Sequence, residues 1–121
     1  MHIAHLIFDL DDTLYDYQRA NVIGMESLCD YAAQKLGVDR QTFIEAYQFG
    51  REKTKELLPP CAAVHSRTLY CQHALEYLQI NPLVHALTMQ SIFWNDFLAV
   101  IEPFAGVETM LQHLHARDIK I

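Results

Sequence analysis

The chain has 121 residues, 51% hydrophobic and 20% charged, with a formal net charge of −6. That composition excludes a disordered chain, and an acidic balance with no Lys/Arg run argues against a nucleic-acid or anionic-membrane partner. No apolar run reaches the length of a membrane span, and the start MHIAHLIFDLDD lacks the basic segment of a secretory leader, so no membrane is expected.

The first element, His2 to Phe8, is short, apolar and closed by Asp9, the pattern of a buried parallel strand. From about Arg19 to Leu36 the period becomes helical, with Ile23, Leu28, Tyr31, Ala32 and Leu36 in phase and Gly37 as the stop. Asp39 is the expected N-cap of a second helix whose inner face carries Phe43, Ile44, Tyr47 and Leu57, and Pro59-Pro60 end it. A third helix is expected from about His65 to Gln79, with Leu69, Ala74, Tyr77 and Leu78. Asn81-Pro82 then supplies the N-cap and first residue of a fourth, striped by Leu83, Leu87, Trp94 and Leu98. Four amphipathic helices on short links read as a small bundle. Pro103 and Gly106 punctuate the chain before a last helix, about Val107 to Ala116, and Asp118 to Ile121 reads as the entry to a second strand. Cys29, Cys61 and Cys71 are odd in number, fit neither a zinc site nor a redox pair, and sit in or beside helical stretches as small buried hydrophobes. A reducing, cytoplasmic compartment is expected.

The chemistry concentrates in LIFDLDDTLYD, Leu6 to Asp16. Two carboxylates, Asp9 and Asp11, follow the end of the strand, and Thr13 comes two residues later. The carboxyl end of a parallel strand opens into the crevice where α/β sheets place ligands. There one carboxylate can attack as nucleophile while the other carries a proton, provided their environments differ. An acidic protein still admits a phosphorylated substrate, because Mg²⁺ mediates between carboxylates and phosphate.

This segment resembles the first motif of the haloacid dehalogenase superfamily, a hydrophobic strand followed by DxDx(T/V), here Asp9-Leu-Asp11-Asp-Thr13. The resemblance implies a Rossmann-like α/β core, with only its first strand and the start of its second present, and a four-helix cap, so that the chain is mostly α. Its boundaries would be 1–17 and 101–121 for the partial core and 18–100 for the cap. The return segment Glu102-Pro-Phe-Ala-Gly-Val107 is similar to the family's PFPGV, with Ala105 in place of the second proline. By resemblance, Asp9 is the nucleophile that becomes an aspartyl phosphate and a Mg²⁺ ligand. Asp11 is the general acid/base and lends Mg²⁺ its backbone carbonyl, and Thr13 supports the loop. An acid at position 11 implies phosphoryl transfer rather than dehalogenation, because halide leaves without a proton whereas an alkoxide needs one. The expected activity is a Mg²⁺-dependent phosphomonoester hydrolase for a small metabolite or nucleotide monophosphate.

The later motifs of the family, a Ser/Thr, a Lys and an acid pair, have no counterpart here, and Lys120 lies too early to be that lysine. The chain is therefore expected to be a truncated and, alone, inactive part. Two other readings stay open: a non-catalytic helical module that associates as a homodimer or swapped oligomer through exposed strand edges, and a haloacid dehalogenase.

Each singled-out residue has a blander reading. Asp9, Asp11 and Thr13 also suit a strand with an acidic Asx turn, and Asp12 reads as a turn residue. The seven histidines show no ligand spacing. Arg51, Lys53, Lys55 and Arg67 read as a solvated helix face before they read as cations over a substrate. Trp94 and Phe97 read as bundle core before binding box. Tyr15 and Tyr17 suit either substrate contact or packing of the helices onto the motif.

Overall fold

Each of the first four helices starts where a polar side chain satisfies a free amide. Asp16 accepts from the Arg19 amide at 2.9 Å and opens α1, Tyr17–Tyr31. Asp39 accepts from the Thr42 amide and opens α2, Arg40–Leu57. Ser66 caps α3, Arg67–Tyr77, and Asn81 with Pro82 at the first helical position opens α4, Pro82–Ala99. Gly106, at φ +87°, precedes α5, Val107–Ala116. These elements come from a computed structural model, which describes residues 3–121.

The expected helix ends hold approximately: α1 starts at Tyr17 rather than Arg19, α3 ends at Tyr77 rather than Gln79, and two further ends are reshaped. α1 loosens into a π-helical turn, Ala32–Leu36, before Gly37 stops it in the left-handed conformation at φ +66°. The third helix begins at Arg67 rather than His65, because a short 3₁₀ turn, Ala62–His65, precedes the Ser66 cap.

α1 packs on α4, α4 on α3 and α3 on α2, giving a four-helix body. Its centre is Leu28, Phe43, Leu75, Met89, Phe93 and Phe97, all essentially without solvent contact. Two glycines let the helices approach. A Cβ on Gly24 would lie 2.6 Å from the Phe93 ring, at the α1–α4 crossing. A Cβ on Gly50 would collide with the Tyr70 carbonyl oxygen and sit 2.9 Å from the Ala74 amide nitrogen. Gly50→Ala is therefore expected to destabilise the protein. Overpacking against backbone costs about 1–3 kcal/mol, more than the roughly 1 kcal/mol alanine gains in a helix. The urea midpoint should fall with an unchanged slope, and an unchanged or higher midpoint would show that α2 and α3 are not in contact there.

Expectations about burial change in several places, and Tyr77 of the third helix is one of them, 56% exposed. The stripe Leu83, Leu87 and Leu98 faces outward, Leu83 being 90% exposed, and α4 instead buries Ala86, Met89, Phe93 and Phe97. α4 is apolar around most of its circumference, so two stripes satisfy the same period, and packing selects the one with the aromatic rings. Likewise α2 buries Ala46, Gly50 and Thr54 beside Phe43 and Tyr47, leaving Leu57 exposed and Ile44 at the edge of a surface cleft. Cys61 is exposed, while Cys29 and Cys71 are buried as expected, and burial pushes the Cys71 thiol up to about 12.

The segment expected as a buried strand is reduced to a single parallel bridge, His5 to Lys120; His2 lies outside the described residues. The Leu6 amide donates to the Lys120 carbonyl at 2.9 Å, and the Lys120 amide to the Ala4 carbonyl at 3.0 Å. Ile7 is 98% exposed, because among the described residues nothing covers its face of the segment, whereas Leu6 and Phe8, which alternate with it, are half-buried. α5 buries no residue fully.

Candidate active site

The loop after Phe8 is built by short-range hydrogen bonds. The Leu10 carbonyl accepts from the amides of Thr13 at 3.2 Å and Leu14 at 3.0 Å, which folds Leu10–Leu14 into one tight turn. Asp12 takes φ +58° at its centre, a conformation Asp tolerates better than most side chains. Its carboxylate then turns to the start of α1, accepting from the amides of Tyr17 at 2.9 Å and Gln18 at 3.3 Å. Asp12 thus belongs to the turn and the helix start, as the spacing suggests. The return segment docks on this loop: the Phe104 amide donates to the Leu14 carbonyl at 2.9 Å, and Tyr15 bridges Pro103.

The two carboxylates singled out by spacing have different surroundings. Thr13 Oγ1 donates to Asp9 Oδ2 at 3.0 Å, and Oδ1 has no donor among the described residues. Asp11 Oδ1 accepts from the Tyr15 hydroxyl at 2.5 Å. Partial burial, followed by that hydrogen bond, pushes Tyr15 up to about 12, so its proton stays in place at neutral pH. Asp9 and Asp11 are both exposed, and each has its own hydroxyl donor.

Beyond Asp11 the surface opens into a cleft of about 580 Å³ between α1, α2 and the start of α3. Tyr17, Gln18 and Asn21 come from α1, Tyr47, Gln48 and Arg51 from α2, and Arg67 from α3. Asp11 is on the cleft wall; Asp9 is not. The four basic residues that sequence could not separate now divide. Arg67 and Arg51 line the cleft, whereas Lys53 meets Glu56 at 3.4 Å and Lys55 is exposed outside it.

Arg67 is the residue whose place sequence reading undervalued. Its guanidinium donates to the hydroxyls of Tyr47 at 3.2 Å and Tyr17 at 2.8 Å, and to Asn21 Oδ1 at 3.0 Å. It also lies 4.4 Å above the centre of the Phe93 ring. Burial pushes the Tyr47 hydroxyl well above its usual range despite the nearby cation. Trp94, read as core before binding box, is partly buried and also lines the cleft. Of the two roles considered for them, Tyr15 and Tyr17 take the packing one, and Tyr17 also lines the cleft. Their rings meet Phe97 edge-on at 6.3 and 5.7 Å, while their hydroxyls reach Asp11 and Arg67.

Among the described residues no group of three or more His, Cys, Asp or Glu side chains could hold a metal ion. Asp9 does offer hard oxygen donors. Mg²⁺ is commonly held by one or two carboxylates, with water and substrate phosphate completing its shell, so the donor chemistry fits that ion. No helix among them is long and apolar enough to cross a membrane.

Comparison with known proteins adds a direction. The chain is 33% identical over 119 residues to ribulose-1,5-bisphosphate 5-phosphatase of Halopiger xanaduensis, an alignment covering 96% of this chain and 49% of that protein. The chain therefore spans about half the length of the curated relative it matches. No family profile and no solved structure matches it.

Proposed function

We propose that the chain is the nucleophile-bearing part of a phosphomonoester hydrolase of the haloacid dehalogenase type, acting on a phosphorylated sugar. The observation that carries this reading is Asp11, held by Tyr15, at the wall of a cleft that also contains Arg51 and Arg67. Similarity to a protein named for removing a phosphate from a sugar bisphosphate supports the same substrate class.

In this reading an Asp9 carboxylate oxygen attacks phosphorus, and the bond from phosphorus to the sugar oxygen breaks. Asp11 supplies the proton that lets the sugar leave as an alcohol. Asp11 then takes a proton from water, which attacks the aspartyl phosphate and releases inorganic phosphate with Asp9 restored. Thr13 holds Asp9 in place, so the attacking oxygen is oriented before substrate arrives. Mg²⁺ held by the Asp9 carboxylate and the Asp11 carbonyl would offset the repulsion between carboxylate and phosphate when bound. The Asn and Gln side chains of the cleft suit the hydroxyls of a sugar.

The test is release of inorganic phosphate by the full-length protein from ribulose 1,5-bisphosphate and from an aryl phosphate, with Mg²⁺ and with excess chelator. Turnover that needs Mg²⁺ is expected. Turnover unaffected by the chelator removes the metal from the proposal, and none under either condition removes the phosphatase.

A further inference from the structure

We propose that the cleft holds a second anionic group of the substrate, one that is not transferred, on the Arg67 guanidinium with help from Arg51. The proposal rests on the phosphatase reading for the identity of the substrate, but its evidence is separate.

Arg67 is a half-buried cation with neutral partners. It bonds to two tyrosine hydroxyls and one asparagine oxygen, and no carboxylate lies in ion-pair range of it among the described residues. A guanidinium carries more N–H donors than these three bonds use, and it cannot shed its charge. Taking such a group partly out of water is unfavourable unless something compensates the charge. The Phe93 ring and the neutral acceptors compensate in part and hold the planar group still. The remaining charge faces a cleft large enough for a small ligand.

Arg51 strengthens the case because nothing in the fold requires it there. It lines the same cleft from α2, and its side chain makes no hydrogen bond or ion pair to the rest of the described chain. The carboxylate on the cleft wall is Asp11, already engaged by Tyr15. In a chain of net charge −6, two arginines against one bonded carboxylate make this pocket locally cationic. Phosphate and carboxylate are the groups a planar, fixed guanidinium recognises. A substrate with an anion at each end would thus be held by one end while the other meets the Asp9–Asp11 loop.

Calorimetric binding of ribulose 1,5-bisphosphate and of ribulose 5-phosphate, in the full-length protein carrying Asp9→Asn to block turnover, tests this. Losing a charge-assisted contact of this kind should weaken bisphosphate binding by about 10–100-fold in Arg67→Gln and change monophosphate binding by less than about 3-fold. Arg67 also ties α1 to α2 and α3, so Arg51→Gln is the companion variant: exposed and unbonded, it leaves the core intact and should cost bisphosphate binding about 3–10-fold. Equal losses for both ligands, or bisphosphate binding indifferent to Arg51 and Arg67, overturn the subsite. Arg-dependent binding in a protein that releases no phosphate keeps the subsite and discards the hydrolase. Turnover with Arg-independent binding does the reverse.

Discussion

Asp9→Asn in the full-length protein is expected to lower phosphate release by at least about 10³-fold for every substrate, because the amide cannot form the acyl phosphate. Asp11→Asn should behave differently. Against a sugar phosphate it should cost about 10²–10⁴-fold, the usual contribution of a positioned proton donor. Against an aryl phosphate with an acidic phenol as leaving group, the first step needs no proton, and burst kinetics should show that step nearly unimpaired. The slower second step still wants a base, so aryl-phosphate turnover should stall after one equivalent of phenol. Phenol and phosphate measured together separate the two carboxylates. Equal loss at both steps, or a burst surviving in Asp9→Asn, would reverse or cancel the assigned roles. In the structure Thr13 donates to Asp9, and Tyr15, pushed up to about 12 by partial burial and then by its bond to Asp11, donates to Asp11.

Much of this site is written in adjacent residues, which is why it was legible. Asp9 meets Thr13 and Asp11 meets Tyr15, each four residues along the chain, and the Leu10–Leu14 turn closes on itself. The caps at Asp39 and Asn81 and the stop at Gly37 are equally local, so helix boundaries followed from the sequence. Long-range choices were not legible. Leu83–Leu87–Leu98 and Met89–Phe93–Phe97 fit one helical period equally well, and only the approach of α1 through Gly24 to Phe93 decides between them. Arg67 is one of four scattered basic residues until α1, α2 and α3 converge and bring Asn21, Tyr47 and Arg67 together. The strand expected over His2 to Phe8 depends on neighbours, and its one backbone partner among the described residues is the segment around Lys120.

Phe93 joins the stability of the bundle to the charge in the cleft. It is fully buried, stacks at 5.6 Å on Phe97, meets Trp94 edge-on at 5.2 Å, and carries Arg67 over its face. Phe93→Ala is expected to lose about 3–5 kcal/mol of stability, combining lost apolar contact with a cavity the helices cannot fully close. Phe93→Leu refills most of that volume and should cost less than about 1.5 kcal/mol from packing, so any further loss reports the missing ring face beneath the cation. A double-mutant cycle with Arg67→Gln isolates that term: a coupling of about 0.5–2 kcal/mol is expected, read from urea midpoints at constant slope. Zero coupling would mean that the ring packs the core without supporting the guanidinium, leaving only Tyr17, Tyr47 and Asn21 to position it. A positive coupling, with weaker bisphosphate binding in Phe93→Leu, would show that the core aromatic positions the cation that meets the ligand.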